Sequence, residues 1–234
     1  SSNKVIVVTK HAKKELLSRV NINEQKVIIY PNTVRKDFYE NKPIDINLEK
    51  KYLKDFVIIY VGNTSKRRGL LTAIKSLKKI YKIIPNIKLI VLGKSSFDYE
   101  IKHKIKQYNV EKLVDFIGWV KEDKIPNYLS ISKLGLSPLH KNIHHDTTYA
   151  NKIFQYISFG CPVVSSNVTA QSELVKKYNI GVVFRDRDVT DFSNKVIELY
   201  KEKNMFNKLK NNCHLSIKKL NNSAISNQLT SIYE

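Results

Sequence analysis

Val57-Ile58-Ile59-Tyr60-Val61 runs into Gly62-Asn63-Thr64-Ser65-Lys66-Arg67-Arg68-Gly69, then into a periodic stretch over Gly69–Ile84, then into Lys88-Leu89-Ile90-Val91-Leu92. The two outer runs are short, continuously apolar and rich in β-branched residues, so they read as strands buried on both faces. Between them Leu70, Ile74, Leu77, Tyr81 and Ile84 recur three and four apart, the pattern of a helix with one apolar stripe. That helix stops ahead of Pro85, because the residue before a proline is steered out of the helical region. Strand, glycine turn, helix and strand make one βαβ unit, with a right-handed crossover.

The alternation continues outward in both directions. Strand signals recur at Val5–Val8, Val27–Tyr30, Val114–Ile117, Leu134–Ser137, Pro162–Ser165 and Gly181–Phe184. Helix patterns cover Lys10–Val20, Asp98–Tyr108, Ile125–Ile131, Tyr149–Phe159, Ala170–Tyr178 and Val189–Lys203. The expected fold is α/β, a Rossmann-like doubly wound parallel sheet with helices on both faces. Asn41-Lys42-Pro43-Ile44-Asp45-Ile46-Asn47 is polar and aperiodic, and reads as a linker. Two strands cannot bury two faces alone. Residues 1–45 are therefore expected to be the tail of a second, largely missing N-terminal Rossmann-like domain with its linker, and residues 46–234 a domain with six strands of its own.

Composition narrows the class. Apolar residues make up 42% of the 234, too many for a disordered chain. No apolar run approaches the roughly 20 residues of a membrane-spanning helix, and Ser1-Ser2-Asn3-Lys4 opens no signal-peptide pattern. Two cysteines, Cys161 and Cys213, exclude a disulfide framework and fit a reducing, cytoplasmic setting. The net charge of +20 comes from lysines spread over many segments, with few arginines and no arginine-rich arm. Nucleic acid is not expected as a partner; an anionic membrane surface and a plain solvated surface both remain open.

In such a sheet, ligands meet the C-terminal ends of the strands, at tight glycine turns and helix N-termini. Gly62–Gly69 places Lys66, Arg67 and Arg68 at a helix start, where they oppose the macrodipole unless an anion is received there. It reads as a phosphate loop or a solvated basic loop. Gly93-Lys94-Ser95 ends like a P-loop but lacks that motif's first glycine, so the P-loop reading is rejected. Thr148, Asn151, Lys152 and Gln155 form one polar stripe on the helix entered at Tyr149, suited to an anion at its tip and a polyol along its side. His140, His144, His145 and Asp146 admit a metal, a sugar or phosphate contact, or an ordinary loop. No nucleophile elbow occurs, and Cys161 in Gly160-Cys161-Pro162 reads as packing.

From about residue 5 to residue 203 the chain resembles the C-terminal, nucleotide-sugar-binding half of the family 4 retaining glycosyltransferases, which have the two-domain GT-B fold. Val7-Val8-Thr9 through Val27–Val34 looks like the last strand-helix-strand of that family's N-terminal domain, with Asn32-Thr33 where asparagine-glycine is common. Gly62–Gly69 is similar in spacing to the family's G-R-x4-K-G loop, with Asn63 at the arginine position and Arg68 at the lysine position. Asp115–Val120 looks like the strand and turn beside the base. Asn151–Val164, ending Gly160-Cys161-Pro162-Val163-Val164, is the most specific match. Of the family's E-x7-E pair, the second position holds Gln155 and the first Thr147, with Asp146 beside it.

The resemblance implies sugar transfer from a nucleotide-sugar, with retention, to a glycan or lipid-linked acceptor in surface polysaccharide synthesis. It implies Arg68 as the catalytic cation and Gly62, Asn63, Thr148, Tyr149, Ala150, Asn151 and Lys152 at the diphosphate. Gln155, Thr147 and Asp146 would meet ribose or sugar, and Gly93, Ile117, Gly118 and Trp119 the base. Neither metal nor another cofactor is expected. The protein would lie peripherally on the inner face of the membrane, and this stretch alone would turn over little. A GT-B sugar-nucleotide epimerase and a non-catalytic nucleotide- or glycan-binding module are the alternatives.

Overall fold

A computed structural model describes residues 4–40 and 45–226, so Asn41-Lys42-Pro43-Ile44 of the expected linker lies outside the described residues. In chain order the elements are β1 (Val5–Val7), α1 (Lys10–Arg19), β2 (Val27–Ile29), α2 (Ile46–Tyr52), β3 (Phe56–Val61), α3 (Leu70–Tyr81), β4 (Ile87–Leu92), α4 (Asp98–Gln107) and β5 (Val114–Gly118). Then come α5 (Ile125–Ser130), β6 (Leu134–Ser137), α6 (Ile143–Thr147), α7 (Asn151–Ser158), β7 (Val163–Ser166), α8 (Thr169–Tyr178), β8 (Gly181–Phe184), α9 (Val189–Lys201) and α10 (Lys203–Ile217). Every strand falls on an apolar run of the sequence.

Three helices go beyond the sequence expectation. Asp45 caps α2 by accepting from the N–H groups of Asn47 and Leu48, at 3.0 and 3.1 Å. Buried Tyr52 then anchors that helix by donating to the Asp115 carboxylate at 2.5 Å. One helix, α6, is a five-residue turn, too short to show a period, capped by Asn142 on the His145 N–H at 3.0 Å. The chain breaks at Glu202 (φ −86°, ψ 74°) and restarts as α10, which buries Leu209, Cys213 and Ile217.

All pairings are parallel: β1 with β2, and a six-stranded sheet in the order β5-β4-β3-β6-β7-β8. Alternation along β3 sends Ile58 and Tyr60 into the core beneath α3, α4 and α9. Val57, Ile59 and Val61 go into the opposite core, beneath α5, α7, α8 and α10. The period of two in a continuously apolar run is what lets one strand serve two helical layers.

That order puts the switch point between β3 and β6. Chain leaving β3 turns to one face and chain leaving β6 to the other, so the two strands pair only at Ile58–Leu134 and Ile59–Gly135 before parting. The Tyr156 hydroxyl bridges the gap, accepting from the Val61 N–H at 2.9 Å and donating to the Leu136 carbonyl at 3.0 Å. Its ring lies flat on Gly135, where a Cβ would stand 2.2 Å from Cγ. The β1–β2 unit meets the larger sheet's helices through Thr9, whose hydroxyl donates to the Thr147 carbonyl, and through Lys10 and His11 on Glu173 at 2.8 and 3.0 Å.

Candidate anion and nucleotide site

Above the parted ends of β3 and β6 lies a cavity of about 560 Å³. The loop after β3 supplies Gly62, Asn63 and Arg68, α6 supplies His144 and His145, and Thr148–Lys152 with Gln155 come from the entry and first turns of α7. Val8 and Asn32 close it from the β1–β2 unit.

The loop's course follows from its residues. Asn63 Oδ1 accepts from the Ser65 N–H at 2.9 Å, and Lys66–Arg68 form a single 3-10 turn. Gly69 ends that turn at φ +74°, where a Cβ would stand 1.7 Å from the Pro138 carbonyl oxygen; only glycine passes so close. The Arg67 carbonyl accepts from the His140 N–H at 3.0 Å, tying the loop to the chain leaving β6. Arg68 consequently lines the cavity, while Lys66 and Arg67 line a separate groove.

Lys152 lies on the polar stripe but is buried, at 7% exposure. Its Nζ stands 3.6 Å over the centre of the Tyr60 ring and has no hydrogen-bond partner. Burial, reinforced by Arg68, holds this ammonium well below the ordinary lysine range. Arg68 is half-buried with Nε unpartnered, and burial lowers it too. His145 is buried with Nε2 unpartnered, and desolvation takes it down to about 4. Buried polar groups are nearly always bonded, so three orphans on one cavity call for a ligand. The first turn of α7 adds free N–H groups, with no side-chain cap at Ala150 and no acid to compete. Arg68 and Lys152 with a helix tip suit a diphosphate.

Gln155, one turn along α7, extends the lining. A second hollow of about 350 Å³ adjoins across Gly62 and Asn63, walled by Gly93, Lys94 and Trp119, with the Lys94 ammonium 5.7 Å over the indole. An exposed aromatic beside the cavity can stack on a planar ring. Gly93, at φ +148°, donates to the Gly118 carbonyl at 2.7 Å.

Most residues singled out from the sequence are therefore brought together. Asp146 and Thr147 are not: Asp146 Oδ1 caps α8, accepting from the Thr169 N–H and hydroxyl at 2.7 and 2.8 Å. The Thr147 hydroxyl is turned back onto the Ile143 carbonyl at 2.8 Å. Ile117 and Gly118 lie outside both hollows. His140 pairs with Asp186 at 2.8 Å, and among the described residues no three His, Cys, Asp or Glu side chains converge as for a metal. The Cys161 thiol is fully buried and pushed up to about 12, as a packing residue would be. Sequence reasoning did not find Tyr60 as the platform under Lys152 or Tyr156 as the bridge; both are polar-tipped aromatics among aliphatic neighbours, the one signal that marks them.

The family model described as glycosyl transferases group 1 matches residues 41–215. Chitobiosyldiphosphodolichol beta-mannosyltransferase of Candida glabrata is 25% identical over 84% of the chain and 49% of its own length. UDP-Gal:alpha-D-GlcNAc-diphosphoundecaprenol alpha-1,3-galactosyltransferase of Escherichia coli is 22% identical over 92% of the chain and 56% of its own length. The chain thus spans about half of these curated relatives. Among solved structures, Alr3699/HepE of Anabaena in complex with UDP superposes with a TM-score of 0.85 at 16% identity, over 99% of the chain and 64% of that protein.

Proposed function

Because the chain belongs to the group 1 glycosyl transferases, we propose that it binds a nucleoside-diphosphate sugar in the cavity at the β3–β6 switch point and serves transfer of that sugar. The observation that carries this reading is that Lys152, Arg68 and His145, each with a buried side-chain nitrogen that has no partner, line one cavity together with the uncapped tip of α7. The Anabaena neighbour's complex with UDP supports a nucleotide as the ligand. Departure of the diphosphate concentrates negative charge, and Arg68 and Lys152 with the α7 N–H groups would stabilise it. Fixed donors of this kind contribute on the order of 10²–10³ in rate each. Gln155 would meet the ribose, and Trp119 with Gly93 the base.

The finer reading is a family 4 retaining enzyme of GT-B type. Residues 46–234 would form its donor domain and residues 1–45 the end of an acceptor-side domain with its linker. Exposed Ile6 and Ile29 on the β1–β2 pair, and an α1 with no buried residue, support a further packing partner there. The relatives' names support a lipid-linked acceptor, and a role in surface polysaccharide assembly follows from it. Lys66, Arg67, Lys75, Lys141 and Arg187 line a groove of about 640 Å³ whose lining holds no carboxylate, which favours attachment to an anionic, cytoplasm-facing membrane. No helix among the described residues is long and apolar enough to cross it. A non-catalytic nucleotide-binding module is the second reading, favoured by the absence of Asp and Glu from the cavity lining. Calorimetric titration with UDP-, GDP- and ADP-sugars tests the proposal. Saturable 1:1 binding of one series is expected, and no binding by any would refute it.

A further inference from the structure

Arg68 Nε and Lys152 Nζ are nitrogens that donate to an anion, but His145 Nε2 has the opposite polarity in the neutral ring. His145 is 1% exposed on α6, and its Nδ1 lies 2.7 Å from the His140 carbonyl oxygen. The Asn142 amide nitrogen also stands 2.9 Å from Nδ1, but it donates to the same His140 carbonyl, the nearer partner of Nδ1; since a carbonyl only accepts, Nδ1 is assigned the ring proton and Nε2 the lone pair. Asn142 clamps the same turn, its Oδ1 accepting from the His145 N–H at 3.0 Å and its amide donating to the His140 carbonyl at 3.0 Å. The ring is therefore held along its Nδ1 edge, while Nε2 has no protein partner beside a cavity built for negative charge.

We propose that a diphosphate entering this cavity drives protonation of His145 at Nε2, so that nucleotide binding takes up a proton and the imidazolium joins Arg68 and Lys152 as a donor. The inference rests on the nucleotide-sugar reading above. It adds a residue that neither the phosphate loop nor the α7 stripe contains, and a coupling between proton and ligand.

The charges around the ring explain why the coupling is strong. Arg68 and Arg67 face it from the loop after β3, and Lys152 lines the same cavity from α7. On α6 itself the His144 ring is 5.4 Å away, and the Asp146 carboxylate is turned aside to cap α8. From α1, Lys10 and His11 are drawn to Glu173 on α8. Burial first, then Arg68, His144 and Arg67, keep the ring neutral, against the Nδ1 hydrogen bond to the His140 carbonyl that favours its charge. A diphosphate brings two or three negative charges into the same low-dielectric space and reverses the balance. Only the Nε2–H bond forms; the proton comes from solvent and returns there when the nucleotide leaves.

The test is calorimetry of the whole chain with UDP, GDP and ADP near pH 7, in two buffers of different ionisation enthalpy, on the parent and on His145→Gln. The expected result is that the parent takes up roughly half to one proton more than the variant. Its dissociation constant, relative to the variant's, should rise with pH by up to about tenfold per unit. Uptake by Lys152 is common to both proteins and cancels in the difference. Equal proton counts would overturn the proposal, whereas failure of all three nucleotides to bind the parent would instead remove the nucleotide-sugar reading. Should His145→Gln not fold, imidazole resonances of the parent decide: the His145 midpoint must climb on saturation with the tightest nucleotide, and a midpoint that stays low overturns the coupling.

Discussion

Replacing Lys152 with methionine should stabilise the free protein while crippling its nucleotide affinity. Methionine nearly preserves the volume and ends in a methyl at the Cε position, an apolar group beside the Tyr60 ring in place of the Nζ that now stands 3.6 Å from the ring centre. It also removes a buried nitrogen that has no hydrogen-bond partner. Leaving such a group unsatisfied costs about 1–3 kcal/mol, so Lys152→Met should raise folding stability by about that amount. The gain should depend on pH. The native lysine is held well below its ordinary 10.5, so between those two values the unfolded chain binds more protons than the folded one. Stability of the parent therefore rises with pH through that window, and the advantage of Lys152→Met shrinks as pH approaches 10.5. Binding moves the other way: losing a charge-assisted bond to the diphosphate should cost about 1.5–3 kcal/mol, roughly 10- to 150-fold in affinity. Chemical denaturation at several pH values and calorimetry with a nucleoside diphosphate measure the two effects. A variant that is destabilised and binds as tightly as the parent would refute the reasoning, since Nζ would then be a satisfied structural group.

Three further outcomes follow from the same geometry. Arg68→Ala should weaken nucleoside-diphosphate binding by about 1.5–3 kcal/mol, and the parent's affinity should fall as salt rises; unchanged titrations would reduce the loop to a basic surface. Gln155→Leu should lose roughly 1–3 kcal/mol of affinity while Gln155→Glu holds or improves it, and equal affinities across the set would place Gln155 outside the site. Gly135→Ala sets a Cβ 2.2 Å from Tyr156 Cγ, so it should destabilise the fold by about 1–3 kcal/mol or more, read as a lowered melting temperature, and loosen the cleft that Tyr156 bridges.

The fold was legible in the sequence because its signals are local. The apolar runs of β3 and β4 and the stripe on α3 each identify an element without reference to anything distant. The elements that escaped show no period of their own: α2 is fixed by Tyr52 reaching Asp115, and α6 is a single turn capped by the adjoining Asn142. The site divides in the same way. Gly62, Arg68, Lys152 and Gln155 could be named from glycine placement, charge and helical spacing. That Lys152 is buried on Tyr60, that Asp146 is committed to α8, and that His145 presents an unpaired nitrogen follow only from segments brought together across the switch point. Periodicity records which way a side chain faces on its own element, so the sequence by itself determined the layers and the loops that ligands would meet. Desolvation and hydrogen-bond partnership depend on what other segments supply, so the tertiary structure alone decided which of those polar groups were buried without a partner.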